Sequence, residues 1–355
     1  MHISLPVILL CACLISLGVT PLVKKLAYKI GATDAPDARK VHQSLMPRIG
    51  GLGIYLSFTA VVLLTQELTT QIVGLLLGGT LIVLIGVVDD TFGLSPKLKL
   101  AGQIAAAFIL VHFGYRVHFI TYPFGEGVIF LKQFSIPVTI LWIIGVTNAI
   151  NLIDGLDGLA AGTSAIAAVT MAVVAWIDGQ ILVTVLALIL AASILGFLRY
   201  NFNPAQIFMG DSGSLFLGFN LGAMAILGLT KGATIISVFI PIVILGIPIM
   251  DTLFAIIRRF YNGKPIFQPD KKHLHHCLLE IGLTHKQTVL VIYAIDLCLG
   301  GSAVLLSKLS AAHSYMFLIA LTVITIVGAN KLGVLSGKVS YQLPTAVEPK
   351  FKTRS

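Results

Sequence analysis

Charge is scarce in this chain. Of its 355 residues only 11% are Asp, Glu, Lys or Arg, while 57% are hydrophobic and the mean hydropathy is +0.96. A soluble globular domain carries about 25% charged residues, so this chain lacks the polar groups needed to cover a water-facing surface. Length alone would suggest two or three soluble domains. The recurring uncharged runs near 20 residues override that prior, because runs of that length span a bilayer. Cysteine is sparse too, and its four copies make no disulfide framework. Cys11, Cys13 and Cys298 lie in apolar runs and only Cys277 in a polar loop. Cys11-x-Cys13 has no nearby His or carboxylate, so these thiols read as small packed hydrophobes and not as a metal site. The N-terminus lacks a basic region ahead of its apolar run, and Lys24-Lys25 follow that run instead. That order argues for a retained first span rather than a cleaved signal peptide. No repeat of 20–50 residues and no low-complexity segment is visible.

What is present is the pattern of an all-α polytopic integral membrane protein. Eleven apolar segments read as transmembrane helices at 3–23, 49–66, 71–88, 98–114, 134–153, 158–177, 180–198, 213–230, 232–257, 287–306 and 314–330. They make one multi-span catalytic domain over 1–335, followed by a cytoplasmic tail over 336–355. Eleven spans put the termini on opposite faces. With the N-terminus outside and the C-terminus cytoplasmic, the inner segments carry twenty of the 24 Lys and Arg residues. The outer loops hold only Arg116, Lys132, Lys231 and Lys308. Cytoplasmic loops collect basic residues, so this split sets the orientation. The net charge of +9 then reports topology and calls for no nucleic acid. Residues 115–133, outside, are β-branched and aromatic around Phe124-Gly125-Glu126-Gly127 and read as a short hairpin without assigned chemistry.

The carboxylates sort to one side. Asp89-Asp90 end the third span, Asp154 and Asp157 follow the fifth, and Asp211 precedes the eighth, all at the inner membrane boundary. Each taken alone reads equally well as a helix cap, Asp211-Ser212 for the eighth span and Asp157 for the sixth. Five acids in three loops of one face outrun that explanation, because ionisable groups at such depth are costly. Their mutual repulsion raises pKa values unless a cation sits among them. All-oxygen donors suit Mg²⁺ or Mn²⁺ and not zinc. Glycines accompany the acids in Asn151-Leu-Ile-Asp154-Gly-Leu-Asp157-Gly158 and in Gly210-Asp211-Ser212-Gly213-Ser214, where helix N-termini offer free N–H groups to anions. Two basic loops complete the inner face, Asp34 to Gly51 with Arg39, Lys40, His42 and Arg48, and Lys271-Lys272-His273-Leu-His275-His276. Positive-inside charge accounts for Lys24, Lys25 and Lys29 ahead of the first loop, and the second reads as a phosphate or leaving-group contact in preference to a zinc tract. Asp251, Asp296, His112, His118 and His313 read as packed or interfacial, and Arg258-Arg259 as a helix C-terminus near lipid headgroups.

These segments resemble the polyprenyl-phosphate N-acetylhexosamine-1-phosphate transferases. The resemblance rests on D-x-P-x-x-R-K-x-H-x(4)-P-R-x-G-G from Asp34 to Gly51, on Asp89-Asp90, on NLIDGLDGLAAG from Asn151, on NFNPAQIFMGDSGSL from Asn201 and on His-Leu-His-His from His273. His-x-His-His and eleven spans are similar to the branch acting on UDP-N-acetylglucosamine (UDP-GlcNAc). The branch acting on UDP-MurNAc-pentapeptide, kept as the alternative, has ten spans and three consecutive histidines. The resemblance implies a bacterial plasma-membrane enzyme, active on the cytoplasmic face, that makes undecaprenyl-diphospho-GlcNAc and UMP from undecaprenyl phosphate and UDP-GlcNAc. It implies Asp211 as principal Mg²⁺ ligand, with Asp89 and Asp90 positioning or deprotonating the lipid phosphate and Asp90 assisting the metal. Asn151, Asp154 and Asp157 would serve the uridine diphosphate and the surroundings of the cation. Lys40 would contact a phosphate, Asn201 the nucleotide side, and His275 and His276 the diphosphate or sugar. A phosphate beside Mg²⁺ is already a competent nucleophile, which favours direct attack over an aspartyl-phosphate intermediate.

Readings from other classes fit less well. A secondary transporter needs ionisable groups near mid-membrane and repeated halves, and only Asp251 and Asp296 come close. A CDP-alcohol phosphotransferase needs D-G-x-x-A-R, whereas Asp154-Gly155 is followed by Leu-Asp. The sequence leaves the downstream glycan pathway open, and a homo-oligomer is compatible with it.

Overall fold

The computed structural model describes residues 4–34, 45–121, 128–229, 239–263 and 273–334. Lys40, Phe124-Gly125-Glu126-Gly127, Lys271-Lys272 and the 336–355 tail lie outside the described residues.

Helix α1 (Leu5–Ile30) leads through strands β1 (Thr33–Asp34) and β2 (Met46–Pro47) into α2 (Gly51–Thr65), α3 (Thr70–Phe92) and α4 (Pro96–His112). Strands β3 (Phe119–Thr121) and β4 (Val128–Phe130) precede α5 (Ser135–Leu152), α6 (Leu159–Ile177), α7 (Ile181–Asn201) and α8 (Gly210–Leu229). The described chain closes with α9 (Phe239–Ile244), α10 (Gly246–Tyr261), α11 (Leu274–Glu280), α12 (His285–Leu306) and α13 (Ala311–Lys331). Both two-stranded sheets are antiparallel, and β3–β4 is the hairpin expected between the fourth and fifth spans.

Among the described residues seven helices are long and apolar enough to cross a membrane, and α2 and α4 are shorter at 15 and 17 residues. The protein is therefore a polytopic, all-helical membrane protein. Ends follow local chemistry. Thr69 and Ser95 cap α3 and α4 by accepting from Ile72 N and Leu98 N, and α1 stops at Gly31, in the left-handed region at φ 77°. The expected single span at 232–257 is corrected. Its described part is broken into α9 and α10 at Leu245, in a run where Pro241 and Pro248 each lack a backbone donor.

Helix α8 is the centre of the bundle. Leu215, Phe216, Leu217, Phe219, Leu221, Ala223 and Met224 are each at most 1% exposed, so no face of this helix is left for lipid or water. Close approach to it rests on glycine. A Cβ on Gly86 of α3 would strike the Ser212 backbone, and one on Gly51 of α2 would strike that of Gly213. The missing side chains let α2 and α3 meet the first turn of α8 backbone to backbone. Helix α13 lies at the opposite extreme, with Met316, Ile319, Val323 and Ile324 all exposed, the surface expected of a lipid-facing helix.

Candidate active site

The first turn of α8 organises the acids. Four N–H groups at a helix start have no partner within the helix, and here another helix supplies two. Asp211 N donates to Asp90 Oδ1 at 2.9 Å and Ser212 N to Asp90 Oδ2 at 3.0 Å. Asp211 and Ser212 therefore do not cap the helix; Asp90, buried at the end of α3, does so from outside. Gly210 permits the approach, with φ 70° and no Cβ to strike Arg48 O or Asp90 Oδ2. Arg48 lies 3.5 Å from Asp90 Oδ1 and 4.0 Å from Asp34 Oδ1, balancing part of the buried charge.

Asp211 joins two further helices. Its Oδ1 accepts from Asn151 Nδ2 of α5 at 3.2 Å, and the same Asn151 nitrogen donates to Ser214 Oγ at 2.9 Å. Its Oδ2 accepts from Lys99 Nζ of α4. Lys99 also donates to Asp89 Oδ2 at 3.2 Å, and Asp89 Oδ1 accepts from Leu94 N at 2.7 Å. One ammonium thus bridges the carboxylates of α3 and α8. In the sequence Lys99 is only one of the inner-face positive charges; of its two partners Asp89 lies ten residues away and Asp211 112.

The turn between α5 and α6 brings Asp154 to this group. Burial first, and then the negative charges of Asp211 and Asp90, push its carboxyl up to about 8. Asp157 faces the other way. Its Oδ2 accepts from Asn203 Nδ2 at 3.1 Å and Ala205 N at 3.0 Å. Asn201 is buried with both ends of its amide engaged, Oδ1 accepting from Gly158 N at 3.1 Å and Nδ2 donating to Ile207 O at 3.0 Å.

The histidines close the site from α11. Asp251 of α10 accepts from Leu274 N at 2.9 Å and pairs with His273 Nδ1 at 2.8 Å, which anchors the start of the short helix. His275 and His276 follow, with ring centroids 4.1 Å apart. A Cβ on Gly155 would lie 2.6 Å from His275 Nε2, so His275 rests on the Asp154 turn. Burial, with the positive charge of His276 next, pulls His275 down to about 3, leaving a neutral ring at physiological pH. Arg258, expected near lipid headgroups, is instead buried and donates to Val334 O.

Asp89, Asp90, Asn151, Asp154 and Asp211 are thus brought together with Lys99, while Asp157 and Asn201 brace the turn behind them. The donor set fits a hard cation: it is all oxygen, and Asp211 already holds an ammonium. Among the described residues no three His, Cys, Asp or Glu side chains are grouped to hold a metal on their own. A cation here would complete its shell from water and substrate phosphate, as Mg²⁺ commonly does.

Residues 72–229 match the family described as glycosyl transferase family 4. The chain is 46% identical over 321 residues to the probable undecaprenyl-phosphate N-acetylglucosaminyl 1-phosphate transferase of Bacillus subtilis (strain 168), covering 90% of each chain. It is 39% identical over 314 residues to the decaprenyl-phosphate N-acetylglucosaminephosphotransferase of Mycobacterium leprae (strain TN), covering 80% of this chain and 79% of that one. Against the undecaprenyl-phosphate alpha-N-acetylglucosaminyl 1-phosphate transferase of Escherichia coli (strain K12) the identity is 30% over 275 residues, covering 76% and 75%. The family match takes in α3, α4, α5 and α8, every helix that meets at the acid cluster, and with a relative alike along nine-tenths of its length the chain belongs to glycosyl transferase family 4.

Proposed function

We propose that this chain transfers GlcNAc-1-phosphate from UDP-GlcNAc to undecaprenyl phosphate, giving undecaprenyl-diphospho-GlcNAc and UMP, as the first membrane step of a cell-envelope glycan. One observation carries the reading: Asp90, Lys99, Asn151 and Asp211, from four different helices, meet at one end of the bundle. The names of the relatives supply the lipid acceptor and the transferred N-acetylglucosamine 1-phosphate, and the uridine nucleotide comes from the resemblance of the motifs.

In the reaction an oxygen of the lipid phosphate attacks the sugar-bearing phosphorus of the donor. The new P–O bond forms as the bridging P–O bond breaks, and UMP leaves with the bridging oxygen. Mg²⁺, held by Asp211 with Asp90 beside it, would neutralise charge on the donor diphosphate, and Mn²⁺ has the same donor preference. Lys99 keeps positive charge between Asp89 and Asp211 and can turn toward a phosphate when one enters. Asp154, whose carboxyl is pushed by burial up to about 8, can in its protonated form donate to a phosphate oxygen that a carboxylate would repel. Asp89 orients the lipid phosphate from the end of α3, and Lys40 contacts a phosphate, as the resemblance implies. His275 and His276 meet the diphosphate or sugar over the Asp154 turn, while Asp157 and Asn201 set the shape of that turn on the nucleotide side. Direct displacement is favoured, because the attacking phosphate needs no covalent relay.

The topology belongs to the same proposal. Eleven crossings with the N-terminus outside leave twenty of the 24 Lys and Arg residues, and all five acids, on the cytoplasmic face. That is the side on which a nucleotide sugar is available.

Purified protein in lipid nanodiscs should release UMP only when UDP-GlcNAc, undecaprenyl phosphate and Mg²⁺ are all present. UDP-MurNAc-pentapeptide should not replace the donor. Absence of UMP from the complete mixture overturns the reading.

A further inference from the structure

The turn from Asp154 to Gly158 is held by side chains outside it at three consecutive peptide groups. Asp157 N donates to His285 Nε2 at 2.9 Å. Gly158 N donates to Asn201 Oδ1 at 3.1 Å. Gly158 O accepts from the hydroxyl of Tyr293. Two of the three clamps come from α12, which contributes no side chain to the acid cluster. Nothing in the chemistry of the reaction requires that helix.

Its geometry suits the task. Thr284 opens α12 with a capping box, accepting from Gln287 N while its own N–H donates to Gln287 Oε1, so His285 stands on a fixed first turn. Tyr293 follows eight residues on, about 12 Å along the axis, and long helical side chains lean back toward the N-terminus. A Cβ on Gly162 would strike the Tyr293 ring, so the phenol lies flush against the first turn of α6 with its oxygen at Gly158. Beyond it, Thr163 Oγ1 donates to Asp296 Oδ2 at 2.7 Å, fastening α12 to α6 above the clamp. The position of the turn is therefore referenced to a helix that is itself pinned.

We propose that α12 is a positioning element for this site, His285 as a hydrogen-bond acceptor and Tyr293 as a donor, fixing where the Asp154 turn stands relative to Asp90 and Asp211. Both are positioning residues, since they act on backbone groups. The role of His285 needs an unprotonated Nε2: an acceptor is required there, and a donor would face the Asp157 N–H head-on. The catalytic consequence rests on the proposed transferase reaction; the hold on the turn does not.

The test uses the full-length protein in nanodiscs, with His285→Leu, His285→Gln and Tyr293→Phe. Glutamine keeps an acceptor near the Nε2 position, and leucine keeps bulk without one. Amide hydrogen exchange of a peptide covering 151–162 should speed up by about tenfold in His285→Leu and Tyr293→Phe, the scale of one lost hydrogen bond. It should return to within about threefold of the parent in His285→Gln. UMP release should follow, with kcat down by about tenfold and KM for both substrates within about twofold, as expected when a catalytic geometry loosens while binding persists. Equal exchange in the leucine and glutamine variants, or unchanged exchange in Tyr293→Phe, overturns the clamp. Faster exchange with parental kcat overturns its catalytic meaning. If the parent releases no UMP, the transferase reading fails while the exchange result still decides the clamp.

Discussion

Asp90 on α3 accepts hydrogen bonds from the backbone amides of both Asp211 and Ser212, one at each carboxylate oxygen. An acid expected to handle substrate is therefore also the cap of the helix that carries the next acid. The two roles separate by substitution. Asp90→Ala removes both acceptors and should cost about 1–2 kcal/mol of stability, the range for a lost N-cap, with UMP release down by more than about a hundredfold. Asp90→Asn keeps one acceptor oxygen and loses the charge. It should fall as far in activity while retaining most of the stability. Thermal denaturation in one detergent, run beside the UMP assay, compares them. Equal melting temperatures for Asp90→Ala and the parent would remove the capping role.

Lys99 makes a different prediction, because it links two acids and caps nothing. Lys99→Met leaves Asp89 and Asp211 facing each other without their shared cation. Breaking a partly buried pair by removing one partner leaves uncompensated charge. UMP release should drop by at least about tenfold, and added Mg²⁺ should recover part of it by supplying the missing positive charge. Titrating Mg²⁺ against rate in both proteins checks this. An identical Mg²⁺ dependence would show that Lys99 has no part in the charge balance of the acids.

Much of this was legible in the sequence, and what was not has physical causes. In a bilayer every spanning backbone must satisfy itself, so apolar length alone reveals helices: among the described residues ten of the eleven apolar runs contain one helix and the run at 232–257 contains two. The break at Leu245 escaped because hydropathy counts side chains and is blind to missing amide donors at Pro241 and Pro248. Acids were conspicuous because charge at a membrane boundary needs a reason. Lys99 was not, since the positive-inside pattern already explained it. Asp251 read as a packed intramembrane acid, and its partner His273, 22 residues on, becomes visible only when α10 and α11 fold together. The resemblance implies substrate roles for Asp157 and Asn201; that Asp157 accepts from Asn203 and Ala205, and that Asn201 bridges Gly158 N and Ile207 O, no spacing in the sequence shows.

The raised Asp154 carboxyl gives a pH dependence with a defined sign. Its value goes from 3.8 to about 8, mainly through burial. Between those values the folded protein holds a proton that the unfolded chain has released, so stability falls as pH rises through that window. In Mg²⁺-free buffer the melting temperature should decline from about pH 5 to pH 8 by the share this group contributes, and Asp154→Asn, neutral throughout, should flatten that share. Mg²⁺ should also reduce the slope by favouring the carboxylate. Parallel melting curves for parent and variant across this range would mean that Asp154 is ionised at neutral pH.

Asp251 lies outside the acid cluster, yet it governs how the histidines meet it. Its two oxygens engage His273 and Leu274, the residues from which α11 starts, and His275 leans on Gly155 from the next turn. Asp251→Ala would leave a buried N–H and a buried imidazole nitrogen without their acceptor, at about 1–3 kcal/mol for each such group. Leu274, Cys277 and Leu278 still pack α11 into a small apolar cluster with Phe254, Val289 and Ile292, so the loss should appear as misplacement of His275 and His276 more than as global unfolding. KM for UDP-GlcNAc should therefore rise by about tenfold while KM for the lipid phosphate stays within about twofold. Asp251→Asn, which keeps an acceptor for Leu274 N, should fall between the two. Steady-state kinetics with each substrate varied separately makes the distinction. Equal increases in both KM values would assign Asp251 to general packing and detach α11 from the donor.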